Sequence, residues 1–242
     1  MTQDRALVRA ICVQIPRWLR KVCVAAIAWS AWPGPMLAQP NPAAVPVVRF
    51  TVFAAEPIEG LGYAAQPGGA VVPLRFYPTA RSALHEHRGR EPLRLVDGRT
   101  GAEVAAVPIP AGMREVLLLV SPTATGSSGQ RYRVTVLDDG PGQRTAGQIQ
   151  ILNLSGLELA GELNGRTIAI ASGFNPAVSA GRSARLVLRT RCRGRIYLSW
   201  HDTINLGPTG RGLLILFPPF SAGSIEVQTR VLLDEIGARG RD

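Results

Sequence analysis

Arg189, Arg191, Arg193 and Arg195 stand at every second position, and Tyr197 continues the series. On an extended segment alternate side chains share a face. Several guanidinium forks on one face suit carboxylate, sulfate or phosphate. These five residues are therefore the candidate anion-binding site, and its ligand class is acidic polysaccharide or lipid headgroups. The same charges would also keep an exposed edge hairpin from aggregating. The spacing by itself does not separate the two roles.

His85 and His87 are the paired histidines of the chain. Residues i and i+2 of a strand share a face, so two imidazoles could reach one metal ion. A third ligand would have to come from His201 or Asp202, far along the chain. The bland alternative is a solvated polar loop over Pro78–Pro92, and no metal or cofactor is expected. Cys192 lies between Arg191 and Arg193, and neighbouring cations favour a reactive thiolate. If those arginines face water, however, alternation turns Cys192 inward as an inert core residue. Gly126-Ser-Ser-Gly129 falls one residue short of a nucleophile elbow and sits in a turn. Asp138-Asp139 and Asp234-Glu235 lie at strand ends, where acids are usually solvated. No phosphate loop, His-Glu-x-x-His or Cys-x-x-Cys is present. The reading is non-enzymatic.

The elements that must carry these residues are strands. Val47–Phe53 alternates, with Val48, Phe50 and Val52 on one face, as in a half-buried strand. Ala70–Tyr77 is a strand whose Pro73 marks an edge or a bulge. Asp97-Gly98, Asn164-Gly165 and Arg193-Gly194 separate apolar runs and are hairpin turns. Trp200 falls on the Ile196/Leu198 face as a core residue. Val116–Val120 is apolar at every position, so both its faces are expected to be covered. Tyr132, Val134 and Val136 point inward from the strand that follows. Outside the N-terminal region no segment carries a helical period.

The run Arg114–Gly140 recurs as Arg211–Gly237. Aligned without a gap, 97 positions apart, the two share nine identities, including Leu117/Leu214, Leu119/Leu216 and Val134/Val231. Two copies of one unit follow. With about seven short strands per copy, the expected fold is all-β: two tandem immunoglobulin-like or Greek-key antiparallel β-sandwich domains. They would span 47–140 and 148–237, joined by a linker at 141–147 and followed by a polar tail at 238–242. A membrane β-barrel, the runner-up, would need longer strands alternating throughout.

The N-terminus predicts export. Arg5, Arg9, Arg17, Arg20 and Lys21 precede an apolar run, Val22–Trp32, which is shorter than the roughly 20 residues a span requires. A signal over residues 1–38 and a proline-rich lead over 39–46 place the protein in the periplasm or outside the cell. Membrane attachment would come only through an uncleaved signal. Past that signal, twenty-two arginines face sixteen acids, and Cys192 stands alone, so no internal disulfide is available. Scattered arginines in an exported chain argue against a nucleic-acid partner.

The order of the Gln148–Ser155 strand, the Asn164-Gly165 hairpin and Leu213-Leu-Ile-Leu-Phe-Pro-Pro219 resembles secreted bacterial tandem β-sandwich proteins of unknown function. Its layout is similar to the periplasmic accessory protein of alginate O-acetylation. The resemblance implies fold and compartment, and it carries over no site residue. The function expected is that of a structural or adaptor module of the envelope that binds a protein partner. The two alternatives are anion binding at Arg189–Tyr197 and a metal-dependent activity at His85 and His87.

Overall fold

The computed structural model describes residues 45–65, 69–75, 77–89, 91–123 and 131–235. The expected signal, most of the lead, Gly126-Ser-Ser-Gly129 and the C-terminal tail lie outside these residues. Among the described residues there are seventeen strands and no helix. The first half contains β1 (Val47–Ala54), β2 (Leu61–Ala64), β3 (Val71–Pro73), β4 (His85–Arg88), β5 (Leu93–Asp97), β6 (Glu103–Val107), β7 (Glu115–Pro122) and β8 (Tyr132–Asp138). The second contains β9 (Gln148–Asn153), β10 (Leu159–Leu163), β11 (Arg166–Ile170), β12 (Gly173–Phe174), β13 (Val178–Ser179), β14 (Ser183–Cys192), β15 (Arg195–Asn205), β16 (Gly210–Phe217) and β17 (Gln228–Glu235).

Each half is a β-sandwich. In the first, the sheet β4-β1-β7-β8 faces the sheet β3-β2-β5-β6. In the second, β12-β9-β16-β17 faces β11-β10-β14-β15, and β13 also pairs with β9. The order is the same in both halves, including a parallel pair at the centre, β1 with β7 and β9 with β16. The remaining pairings are antiparallel. Two-residue turns build two of the expected hairpins: Asn164 and Gly165 have φ of 49° and 81°, Arg193 and Gly194 of 48° and 78°; the hairpin expected at Asp97-Gly98 forms through a longer connection, 98–102. Positive φ at both turn positions matches the twist of the flanking strands.

Three apolar clusters hold the chain together. Phe50, Val52, Leu93, Leu95 and Leu118 fill the first sandwich. Ile149, Ile151, Leu186, Leu188 and Leu214 fill the second. The third belongs to both halves: Phe53, Leu117, Leu119 and Leu137 from the first meet Leu152, Leu213, Ile215 and Leu232 from the second. The sheets carrying β7 and β16 thus pack on each other as well as on their own partners. That is why their central runs, Val116–Val120 and Leu213–Phe217, are apolar at every position, as anticipated for the first. The half-buried reading of β1 holds at Val47 and Arg49, which are exposed on its far face, and gives way at Thr51 and Phe53, which are buried there, Phe53 in the shared core.

The gap-free alignment of the repeat does not survive the register. Leu118 points into its own sandwich and pairs with Val136; the residue with that position in the second half is Leu214, paired with Val231. The equivalent strands are therefore offset by 96 residues at β7/β16 and by 95 at β8/β17. An offset of 97 would equate Leu117, in the shared core, with Leu214, in a sandwich core. A one-residue slip exchanges the two faces of a strand. In a run apolar on both faces, nothing in the sequence opposes that slip.

Candidate functional site

The arginine series lies where β14 turns into β15, but the hairpin divides it. Cys192 is opposite Arg195, Arg191 opposite Ile196, Thr190 opposite Tyr197 and Arg189 opposite Leu198. Directly opposed residues share a face. Arg189 and Arg191 therefore stand with Ile196 and Leu198 on the outer face of the sheet, while Arg195 and Tyr197 stand on the other side. Arg193 occupies the turn. The expected convergence of four guanidiniums is not formed, because a two-residue turn resets the alternation between the strands. Arg189 lies 3.2 Å from Glu162 of β10.

The register also shifts between Leu188 and Arg189, where Ser199 forms an extra, buried residue in β15. This bulge flips the strand. Trp200, opposite Leu188, packs against the second core as expected. Ile196 and Leu198, placed on the same face as Trp200 by simple alternation, are instead 64% and 52% exposed. Two shallow grooves flank Arg189 on this outer face. One, about 370 Å³, is lined by Arg185, Val187, Leu198 and His201. The other, about 230 Å³, is lined by Glu158, Ala160, Arg191 and Ile196. The outer sheet face is therefore an aliphatic patch with a cationic rim.

His85 and His87 do share a face, but that face is interior. Both lie on β4, a four-residue edge strand within Pro78–Pro92, where a solvated loop was expected throughout. The His85 ring packs against Phe50 and Tyr63, with ring centroids 5.4 and 5.3 Å away. Burial there holds its pKa below the usual 6.5. Burial likewise raises the Tyr63 phenol. His87 is buried, and its Nε2 is 2.9 Å from the Glu91 carbonyl oxygen. His201 and Asp202 lie on β15 of the other sandwich. Among the described residues no group of three or more His, Cys, Asp or Glu side chains is placed to hold a metal. Cys192 is a half-buried free thiol at the hairpin tip.

One constellation escaped the sequence reading. The segment expected as a linker carries Arg144 into the interior, where its side chain is 1% exposed. Arg144 donates to Asp139 and, at 3.0 Å, to Gln150 Oε1. Arg81 bridges Asp139 and Asp234, lying 3.0 Å from the latter. Arg211 approaches Asp234 at 3.8 Å and donates to the Arg144 carbonyl at 3.0 Å. Asp139 and Asp234 were expected as solvated acids at strand ends; both are buried in a joint ionic cluster. With the repeat in its true register they are equivalent residues, two past Leu137 and Leu232 of the shared core. Sequence hides such acids, because their counter-charges are assembled from three separate places: Arg81 in the first half, Arg144 in the connector and Arg211 in the second half. No protein-family model and no curated protein matches the chain.

Proposed function

We propose that the protein is a non-enzymatic, exported module of the cell envelope that binds a protein partner through the outer face of β11-β10-β14-β15. The observation that carries this reading is the exposure of Ile196 and Leu198, side by side on that face, with Arg189 and Arg191 around them. Protein interfaces commonly combine an apolar centre with a polar rim, and arginine is enriched among their energetic anchors. Aliphatic side chains give a sugar ring no flat surface for stacking. Binding of acidic polysaccharide or lipid headgroups, the alternative, draws on the same arginines. It is the weaker reading, because the hairpin sets Arg195 and Tyr197 on the side away from Arg189 and Arg191. A metal-dependent activity at His85 and His87 has less support still, since both rings are packed into the first sandwich.

The test places a photo-crosslinking amino acid at Leu198 of the full chain in cells, with Ala106, exposed on the first sandwich, as the control position. The expected result is a discrete protein adduct at 198 and none at 106, persisting at about 0.5 M salt, where exposed charge pairs are screened. Adducts to polysaccharide alone, or equal adducts at both positions, would refute the proposal.

A further inference from the structure

Resting on that reading, we infer that the edge of β15, which pairs with no further strand among the described residues, binds its partner as an added β-strand, and that the added strand is an extended segment alternating apolar and acidic residues. β15 is the longest strand of the fold, eleven residues, and it closes one side of its sheet. Arg195, Ile196, Tyr197 and Leu198 are exposed on both faces of the strand. Edges of this kind template further pairing unless charge, proline or a covering segment blunts them. Arg195-Ile-Tyr-Leu198 has a charge only at its first position and contains no proline.

The hairpin fixes which backbone groups are available. Across a two-residue turn Cys192 and Arg195 form the pair that exchanges both hydrogen bonds, and the next such pair is Thr190 and Tyr197. Ile196 and Leu198 therefore turn their N–H and C=O groups to the open edge. The edge ends at the bulge, where the Ser199 carbonyl accepts from Val227 N at 3.3 Å. What remains is a short docking edge bounded by the turn at one end and the Val227 segment at the other.

Charge selects the occupant. Arg191, Arg193 and Arg195 surround this edge, and among the described residues the one acid paired with the hairpin arginines is Glu162, on Arg189. A second copy pairing edge to edge would bring a like set of guanidiniums against them, which is destabilising. A strand with acids near the tip and apolar residues beside Ile196 and Leu198 complements both features. Main-chain bonds would supply affinity, and alternate side chains specificity.

The probe is a twelve-residue peptide of alternating Glu and Val, added to the full-length protein. Two controls accompany it: an alternating Lys and Val peptide, and the Glu-Val peptide N-methylated at every second residue. Hydrogen exchange should show the amides of Ile196 and Leu198 becoming protected by tenfold or more. Those of Arg195 and Tyr197, already bonded to β14, should not change. The Lys-Val and N-methylated peptides should bind at least about tenfold more weakly, and Arg191→Ser with Arg195→Ser should weaken the Glu-Val peptide by a similar factor. Ile196→Pro removes an edge-facing N–H without touching the β14 ladder and should abolish protection at Leu198. Protection of all four amides alike, equal binding of the Lys-Val peptide, or no binding of the Glu-Val peptide would overturn strand addition. If the Leu198 crosslink to a protein persisted in that case, binding through the outer face would stand and only its mode would fall; loss of both would remove both.

Discussion

Replacing Arg144 by methionine tests whether the ionic cluster holds the two halves together. The substitution keeps an unbranched side chain of similar reach and deletes the guanidinium. Asp139 would lose the Arg144 guanidinium, and Gln150 Oε1 would lose its donor, in a place that is 1% exposed at both charged side chains. Removing one partner of a buried ion pair costs about 3–5 kcal/mol, because the other charge stays buried. The lost hydrogen bond contributes about 1 kcal/mol of its own, partly within that figure. The expected loss is therefore about 4 kcal/mol. With a urea dependence of about 2 kcal/mol per molar, the midpoint of unfolding should fall by about 2 M. The control is Arg189→Met, which breaks the Glu162 pair while both side chains are more than two-fifths exposed. Exposed pairs contribute about 0–1 kcal/mol, so this variant should unfold close to the parent. Urea denaturation at neutral pH, followed by circular dichroism, reads both. Equal midpoints for Arg144→Met and Arg189→Met would refute the assignment of the cluster as a joint between the halves.

Three further outcomes follow from the packing. Leu117→Ala, in the shared core, should cost about 2–5 kcal/mol, and hydrogen exchange should show β2 and β10 destabilised together although neither contributes a residue to that core; destabilisation confined to the first sandwich would contradict a shared core. Gly210→Ala should cost about 2–3 kcal/mol or prevent folding, because a Cβ there would meet the Leu206 carbonyl oxygen at 1.7 Å; an unchanged melting temperature would show the close approach to be wrong. The folded-state pKa of His85 lies below its unfolded value of 6.5, so the unfolded chain takes up the proton more readily. Stability is thus complete above about pH 6.5 and falls as the pH drops through that value toward the depressed folded pKa. His85→Phe should flatten this acid loss in melting temperature, and an unaltered pH profile would sink the assignment.

What could be read from the sequence, and what could not, divides along physical lines. Turn chemistry was legible at once, because Asn164-Gly165 and Arg193-Gly194 state the backbone geometry they need. The covered faces of β7 were legible from five consecutive apolar residues. The register of the repeat was not, since Leu117, Leu118 and Leu119 offer no polar position to tell one face from the other. The bulge at Ser199 was equally silent, and it alone decides that Trp200 is interior while Leu198 is outside. The candidate site suffered from the same gap: four arginines at even spacing look like one cluster until a two-residue turn sends them to different sides. Asp139, Arg144 and Asp234 looked like solvent-facing punctuation because, although Asp139 and Arg144 pair five residues apart, their burial depends on segments distant in the chain.

Arg144 comes from the segment between the two sandwiches, and such a segment exists once per chain. Asp139 and Asp234, by contrast, exist once per repeat. Two separate copies of a single sandwich, meeting across the same apolar surface, would bring two like carboxylates together under identical surroundings, and symmetry would forbid any arrangement that treated them differently. Joining the copies in one chain lifts that restriction. The connector can donate to one carboxylate and stand 3.9 Å from the other, which Arg211 also approaches, while Arg81 spans both. Covalent tandem linkage thus permits a lopsided joint between two similar bodies, and with it a protein in which each half is free to specialise its own outward surface.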